Sequence, residues 1–323
     1  MDKNYMSLFH RKYLSFILFR RMFANWPSVI MDYVFGKDLI KVMFKNRSMY
    51  YLRRKDIPKI VWLSHVTEVD PNYISVDENY NIYYSQRKLN TRSFFSTLLS
   101  YYGAIEDSGI WYLPKLNLKF LGANFSLVET FFTRTYDYAE VNDREVVDIG
   151  ANIGDTAIYF AVNGAKKVVA LEPIPSVAKI AEQNVKINAL QDKIIVLNAA
   201  LGSKRGKIAV PSKIDVEKSS GFSINGKGDT LIDVLSMEDV RRMVKDPFLL
   251  KMDCEGCEVD IILNSELDFD NLIIEQHYFL TKVPGKKLIE RLKGQGYECK
   301  EGPLPFSRSI KKTESIIYCK KRL

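Results

Sequence analysis

The chain has 323 residues, 46% of them hydrophobic and 27% charged, with a formal net charge of +8. That length allows one large domain or two ordinary ones, and the composition is that of a soluble globular protein rather than a disordered one. The positive charge favours contact with anionic lipids, phosphorylated substrates or nucleic acid without choosing among them, and it equally fits a basic solvated surface.

The opening stretch, "YMSLFHRKYLSFILFRRMFANW", places Tyr5, Phe9, Tyr13 and Phe16 at helical spacing, with Arg11 and Lys12 between them and Arg20 and Arg21 following. The aromatic face can pack on the rest of the protein. A basic amphipathic helix can also lie on an anionic membrane, which makes residues 1–24 a candidate for weak peripheral contact. The longest apolar run there, "LSFILF", stops at Arg20 and Arg21, far short of a bilayer span, and no signal peptide is evident. "SVIMDYVF" predicts a short helix ending at Gly36. "LIKVMF" and "SMYYL" flank Lys45-Asn46-Arg47 as a hairpin would, and "YISVDENYNIYYS" predicts another strand pair.

From about residue 126 the rhythm changes. "SLVETFFTRTYDYAEV" reads as a helix, followed by the strand "EVVDIG" and the helix "GDTAIYFAVNG". The strand "KKVVALEP", the helix "PSVAKIAEQNVKINAL" and the strand "KIIVLNAAL" come next. "TLIDVLSMEDVRRMV" reads as a helix, "FLLKMDCEG" as a strand, "CEVDIILNSEL" as a helix and "NLIIEQHYFL" as a strand. Such alternation signifies an open, mostly parallel sheet with helices on both faces. The tail, "KKLIERLKGQGYECKE" and "ESIIYCKK", predicts a helix and two strands that could pair antiparallel. The expected organisation is an N-terminal α+β region over residues 1–125, suited to acceptor binding or docking, and an α/β domain over 126–323.

In an open α/β sheet, ligands bind at the carboxyl ends of the strands where strand order reverses. The first strand of this half ends at Asp148-Ile149-Gly150, and the turn continues as Ala151-Asn152-Ile153-Gly154. A dinucleotide cradle needs G-x-G-x-x-G, so that the backbone can approach a pyrophosphate. Asn152 stands at the middle position and no third glycine follows, which argues against a pyrophosphate. S-adenosylmethionine carries a sulfonium, an amino-acid group and an adenosine, with no phosphate, and suits a turn with acids nearby. Glu172 ends the second strand before Pro173, where a carboxylate can accept from both ribose hydroxyls; dinucleotide enzymes use the same device. Asn198, Ala199 and Ala200 fall where small and amide groups could frame an adenine edge.

These segments, "VVDIGANIGDTAIYFAVNGAKKVVALEPIP", "LNAALGSKRG", "FLLKMDCEGCEVDII" and "IIEQHY" in that order, resemble the FkbM-type methyltransferases over about residues 126–305. The resemblance implies a class I methyltransferase fold, a Rossmann-like doubly wound sheet with an antiparallel C-terminal strand. It also implies S-adenosylmethionine as donor and transfer to a hydroxyl oxygen, the acceptors being sugars and polyketide-type small molecules. It puts Asp148, Gly150, Asn152 and Gly154 around the methionine part, with Asp155 and Thr156 at the following helix start, Glu172 on the ribose and Asn198–Ala199 on the adenine. "KMDCEGCE" matches the family's Lys-x-Asp-x-Glu-Gly-x-Glu and contributes Lys251, Asp253, Glu255 and Glu258. "IIEQHY" matches its Glu-x-His with Glu275 and His277. Cysteines at 254 and 257 occupy positions the family leaves variable.

A neutral hydroxyl must lose its proton as it attacks the methyl group, which calls for a base. Asp253, Glu255 and His277 are the candidates, because adjacent parallel strands bring their ends together. The acids Asp253, Glu255, Glu258 and Asp260 could in principle hold magnesium, but the resembling family generally uses no metal, and none is expected here. Cys254 and Cys257 are expected to be a coincidence of spacing, with Cys299 and Cys319 standing alone. Four cysteines without a dense framework suit a reducing cytoplasm, with any membrane contact at its inner face.

The expected function is O-methylation of a sugar, glycolipid or other small hydroxylated metabolite. The alternatives are an RNA or other nucleic-acid methyltransferase and a non-catalytic donor-binding or membrane-docking module. Nucleic acid is disfavoured because the strand ending Asp253-Cys254-Glu255-Gly256 lacks Asn/Asp-Pro-Pro-aromatic and its acids would repel phosphates. The intact "DIGANIGD" and "KMDCEG" segments speak against a merely docking role.

Overall fold

The strand Glu145–Ile149 (β1) is buried at every position, so the sheet it belongs to is covered on both faces. The structure, a computed structural model, describes residues 16–133, 135–303 and 314–322. These residues fall into two compact units, one within Met1–Glu106 and Leu113–Lys115, the other within Asp107–Tyr112 and Leu116–Leu323.

The first unit opens with a helical stretch over residues 16–22. Phe19, Met22 and Phe23 are buried there, and Phe23 packs on Phe44 with ring centroids 5.4 Å apart. The helix Trp26–Val34 follows, with Gly36 just beyond it at φ +80°. The expected hairpin is present as Leu39–Met43 paired antiparallel with Met49–Arg53. Its alternating Ile40, Val42 and Leu52 face inward. The expected second pair, Ile74–Val76 with Ile82–Tyr84, is also antiparallel. Tyr5, Phe9 and Tyr13, on which the amphipathic reading rests, lie outside the described residues.

In the second unit, helix α1 (Phe125–Phe132) precedes β1. Helix α2 (Asp155–Val162), strand β2 (Lys167–Leu171), helix α3 (Pro175–Ile187) and strand β3 (Ile194–Leu197) come next. Three strands then form a separate small sheet: β4 (Ala199–Gly202), β5 (Gly206–Val210) and β6 (Thr230–Ser236), in the order β4-β6-β5. The main path resumes with helix α4 (Met237–Arg241), strand β7 (Pro247–Met252), helix α5 (Cys257–Asn264) and strand β8 (Asn271–His277). Helix α6 (Tyr278–Thr281), helix α7 (Gly285–Gly294) and strands β9 (Tyr297–Gly302) and β10 (Glu314–Lys321) complete it. The seven-stranded sheet has the order β3-β2-β1-β7-β8-β10-β9. Pairs among the first five are parallel. β10 pairs antiparallel with both β8 and β9. The chain runs outward from β1 through β2 to β3, then returns to start the other half at β7. Strand order therefore reverses between β1 and β7.

Three expectations need correction. Residues 230–244 are not one helix: "TLIDVLS" is the strand β6, and the helix begins only after Ser236. Ser236 and Asp239 form a reciprocal capping box, which starts the helix at the end of the strand rather than within it. Next, "KIIVLNAAL" is two strands, broken at Asn198 because β3 ends the main sheet and β4 joins the small one. Last, the cysteines do not stand apart. Cys299 and Cys319 are direct register partners on β9 and β10 and are disulfide-bonded, as are Cys254 and Cys257 across the start of α5. Pairing of residues 20 apart depends on strand register, which spacing alone does not reveal.

Candidate active site

The reversal between β1 and β7 sets a cavity of about 420 Å³ at the carboxyl ends of the strands. Its floor is a close backbone crossing. A Cβ on Gly150 would lie 1.7 Å from the carbonyl oxygen of Asp253, and the residue has φ +76°, so both space and backbone conformation require glycine. Asn152 follows at φ +49°, a left-handed conformation that asparagine tolerates. Its side-chain oxygen accepts from Asn124 at 3.1 Å and from the Ser219 hydroxyl at 2.7 Å. Gly154, at φ +82°, caps α2 against Ala181, 3.2 Å from where its Cβ would be.

Asp148 and Lys251 are opposite each other on β1 and β7, both fully buried. Lys251 Nζ lies 3.0 Å from Asp148 Oδ1 and donates to the Gly150 carbonyl at 2.9 Å. Burial pulls the Lys251 pKa down, but Asp148 and Asp253 outweigh it and hold the ammonium above its ordinary value. The Thr156 hydroxyl donates to the other Asp148 oxygen at 2.5 Å. Asp155, one residue earlier, accepts from the Thr130 hydroxyl at 2.5 Å, and its burial raises its pKa to about 6.

Glu172 closes this end of the cavity. Its Oε2 accepts from the Asn152 backbone N–H and its Oε1 from that of Ile174, both at 2.9 Å. Each carboxylate oxygen has a second lone pair, so two further donors can still be taken. Burial raises the Glu172 pKa to about 7, partly offset by those backbone N–H groups. The Asn198 amide donates to the carbonyls of Glu172 and Pro173 at 2.9 and 3.0 Å, which fixes the strand-end turn. Ala199 and Ala200, rather than the Asn198 amide, line the cavity.

The other end is acidic. Glu129, Asp253, Glu255 and Glu275 all line the cavity. His277 stands behind them, 2% exposed, at the end of β8. Fully buried Glu258 accepts from the Gly256 backbone N–H at 2.9 Å and from that of His277 at 3.2 Å, and it lies 3.2 Å from His277 Nδ1. This one carboxylate joins the loop after β7 to the end of β8. His277 Nε2 then faces Asp253 at 3.7 Å, Glu255 at 3.5 Å and Glu275 at 3.7 Å. Burial opposes a charge on His277, but Glu258, Glu255, Glu275 and Asp253 outweigh it and push its pKa well above the ordinary value. Burial, Asp253 and Glu129 likewise raise that of Glu275.

The structure thus brings Gly150, Asn152, Asp155, Thr156, Glu172, Ala199, Asp253 and Glu255 to one cavity. Asp148, Gly154, Asn198 and His277 lie behind its lining and brace it. The sequence reading did not find Glu129, Tyr136 or the stretch Ser219–Ile224, which also line it. Glu129 and Tyr136 carried no motif. The "SSGFSI" stretch offered only a glycine among small residues as a loop signal.

A doubly wound sheet of this order, with an antiparallel strand pair after the fifth parallel strand and a glycine turn at its reversal, is the class I methyltransferase fold. Residues 148–299 match the family model described as the methyltransferase FkbM domain. This stretch of the chain is accordingly an FkbM methyltransferase domain, and its cofactor is S-adenosylmethionine. A ribosomal protein L11 methyltransferase of Carboxydothermus hydrogenoformans is 46% identical over 52 residues, 16% of this chain and 17% of that protein. Protein arginine N-methyltransferase 6 of Xenopus tropicalis is 27% identical over 139 residues, 41% of this chain and 38% of that one. The chain thus spans less than two fifths of either relative. Among solved structures, TrmK of M. capricolum with S-adenosyl-homocysteine is 16% identical with a TM-score of 0.39, covering 62% of this chain and 68% of that one. The fold assignment rests on the strand order and not on that likeness.

Proposed function

We propose that the protein transfers the methyl group of S-adenosylmethionine to a hydroxyl of a sugar, glycolipid or other small metabolite. The observation that carries this reading is one cavity with Glu172 at one end and Asp253, Glu255 and Glu275 at the other. On this reading the glycine turn from Gly150 to Gly154, with Asp155 and Thr156, holds the methionine part. Asp148 acts from beneath, through Lys251 and Thr156. Glu172 takes the ribose hydroxyls, and the Asn198–Ala199 corner flanks the adenine. The acceptor oxygen attacks the methyl carbon in line with the departing sulfur. Its proton passes to Asp253, Glu255 and His277 acting as one coupled group, with Asp253 the most exposed of the three. Orientation of the two reactants can supply about 7–11 kcal/mol of barrier lowering. The acids also attract the sulfonium of the donor more strongly than the neutral sulfur of the product.

A second reading follows from the same acids. A cavity lined by Glu129, Asp253, Glu255 and Glu275 also suits a cationic amino or guanidino acceptor, and one relative carries the name of a protein arginine N-methyltransferase. A polyanionic acceptor would meet repulsion there. Incubation of the purified chain with methyl-labelled donor and separate pools of glycans, glycolipids, basic peptides and RNA distinguishes these. Label in the hydroxylated pools supports the first reading; label confined to basic peptides or RNA overturns it.

We also propose weak contact with an anionic membrane surface through residues 1–24; the reducing cytoplasm expected from unpartnered cysteines loses that support, because Cys254–Cys257 and Cys299–Cys319 are both disulfide-bonded. No helix among the described residues is long and apolar enough to cross a membrane.

A further inference from the structure

The geometry points to a divalent-cation site formed by Asp253, Glu255 and His277, with Glu275 beside it. One donor atom from each of the first three residues lies within 4.8 Å of the others. Acids alone would not argue for an ion. The imidazole does: it is 2% exposed, and Glu258 occupies its Nδ1 side at 3.2 Å. A carboxylate that accepts from Nδ1–H holds the ring with Nε2 toward the acids, the arrangement that orients metal-bound histidines, and an ion bound there would take the place of the Nε2 proton. That Nε2 points at three carboxylate oxygens at 3.5–3.7 Å, too far for good hydrogen bonds. Around an ion with bonds of about 2.1 Å, neighbouring ligands are about 3.0 Å apart and opposite ones about 4.2 Å. The observed spacings fall between these values, or slightly beyond the larger, so a small inward movement of the carboxylates completes the set.

Among the described residues, the lysine beside Asp253 is committed elsewhere. Lys251 Nζ is engaged by Asp148 at 3.0 Å and by the Gly150 carbonyl, and stays 3.9 Å from Asp253. Carboxylate oxygens with a single imidazole suit magnesium or manganese rather than a thiol-seeking metal. Asp253, Glu255 and Glu275 line the cavity, so open coordination positions would face the acceptor. An acceptor hydroxyl bound there would lose its proton more readily, with the Glu275 carboxylate beside the ion taking it in place of the ion-bound His277. That use rests on the methyl-transfer reading; occupancy by the ion does not.

Manganese titrated into the full, chelator-stripped chain and followed by electron paramagnetic resonance tests the site. The expected result is one ion per chain, displaced by excess magnesium, with nitrogen modulation from a histidine in the pulsed spectrum. His277→Ala should remove that modulation, and Glu255→Gln, in the loop after β7, should weaken binding about 10–100-fold. Far-UV circular dichroism verifies that each variant is folded. Absence of saturable binding at millimolar manganese, or binding that survives both substitutions, overturns the inference. A separate donor titration keeps the two readings apart. Donor binding without manganese binding sinks the cation site alone, and manganese binding without donor binding sinks the methyltransferase reading alone.

Discussion

A side chain on Gly150 would begin 1.7 Å from the carbonyl oxygen of Asp253, so the glycine turn and the acidic loop are held as one piece of backbone. The Asp253 N–H donates to the Ile149 carbonyl at 3.0 Å, and Lys251 binds the Gly150 carbonyl from below. Gly150→Ala must therefore separate the ends of β1 and β7. Overpacking and a positive φ together should cost about 2–5 kcal/mol. Thermal denaturation with a donor titration checks this. Near-wild-type stability and donor affinity would show that the crossing is looser than described.

If Glu172 takes the ribose hydroxyls as proposed, its carboxyl, raised to about 7, should make donor binding depend on pH. Ribose hydroxyls donate to the ionised form, so affinity should rise with pH and level off above about 7, changing by up to about tenfold per pH unit below that. Stability of the free protein runs the other way. A carboxyl with a raised folded pKa holds more protons folded than unfolded, so its contribution is lost as pH climbs from its ordinary 4.5 through about 7. Calorimetry in buffers of different ionisation enthalpy should record proton release on donor binding near pH 6.5, and Glu172→Gln should abolish it. The same release from the variant would assign the proton to another group.

Asp253→Asn should lower turnover by about 10²–10⁴ while leaving donor affinity within a few-fold. Asp253 is the better position to test because it is partly exposed, whereas His277 is held by buried Glu258. Single-turnover kinetics on whichever acceptor pool takes label gives the answer. Unchanged turnover would leave orientation as the whole source of the rate.

Residues 19–23 belong to the core of the first unit, where Phe19, Met22 and Phe23 are buried. Deleting residues 1–24 should therefore impair solubility whether or not a membrane is involved. Deleting residues 1–15 is the cleaner test of peripheral contact. Flotation with anionic and neutral vesicles should show salt-sensitive binding to the anionic ones, at about 1 kcal/mol per basic residue engaged, lost in that truncation. No flotation of the full chain contradicts membrane contact.

The parallel sheet was legible because its strands, such as "EVVDI" and "KVVAL", are continuous apolar runs closed by turn residues. The turn at Gly150 and the strand end at Glu172 were legible for the same reason: a glycine and an acid close such runs where the backbone leaves the sheet. The small sheet was not. β6 has Leu231 67% exposed and only Ile232 fully buried, so its apolar residues fit a helical spacing as well as an alternating one. The acidic end was only half visible. Asp253, Glu255 and His277 sit in motifs, but Glu129 reaches the cavity from α1, which precedes the sheet and carries no signature of its own. The Glu258 bridge likewise needs the end of β8 beside the start of α5, a contact that no spacing along the chain encodes.

The central claim is that this cavity binds S-adenosylmethionine with Glu172 on its ribose. Calorimetric titration of the donor into the full chain and into Glu172→Ala measures it directly. The account predicts one donor per wild-type chain and an affinity about tenfold to a hundredfold lower in the variant, the cost of losing charge-assisted hydrogen bonds worth about 1.5–3 kcal/mol. Equal affinity in both, or no binding to the wild-type chain, would contradict it.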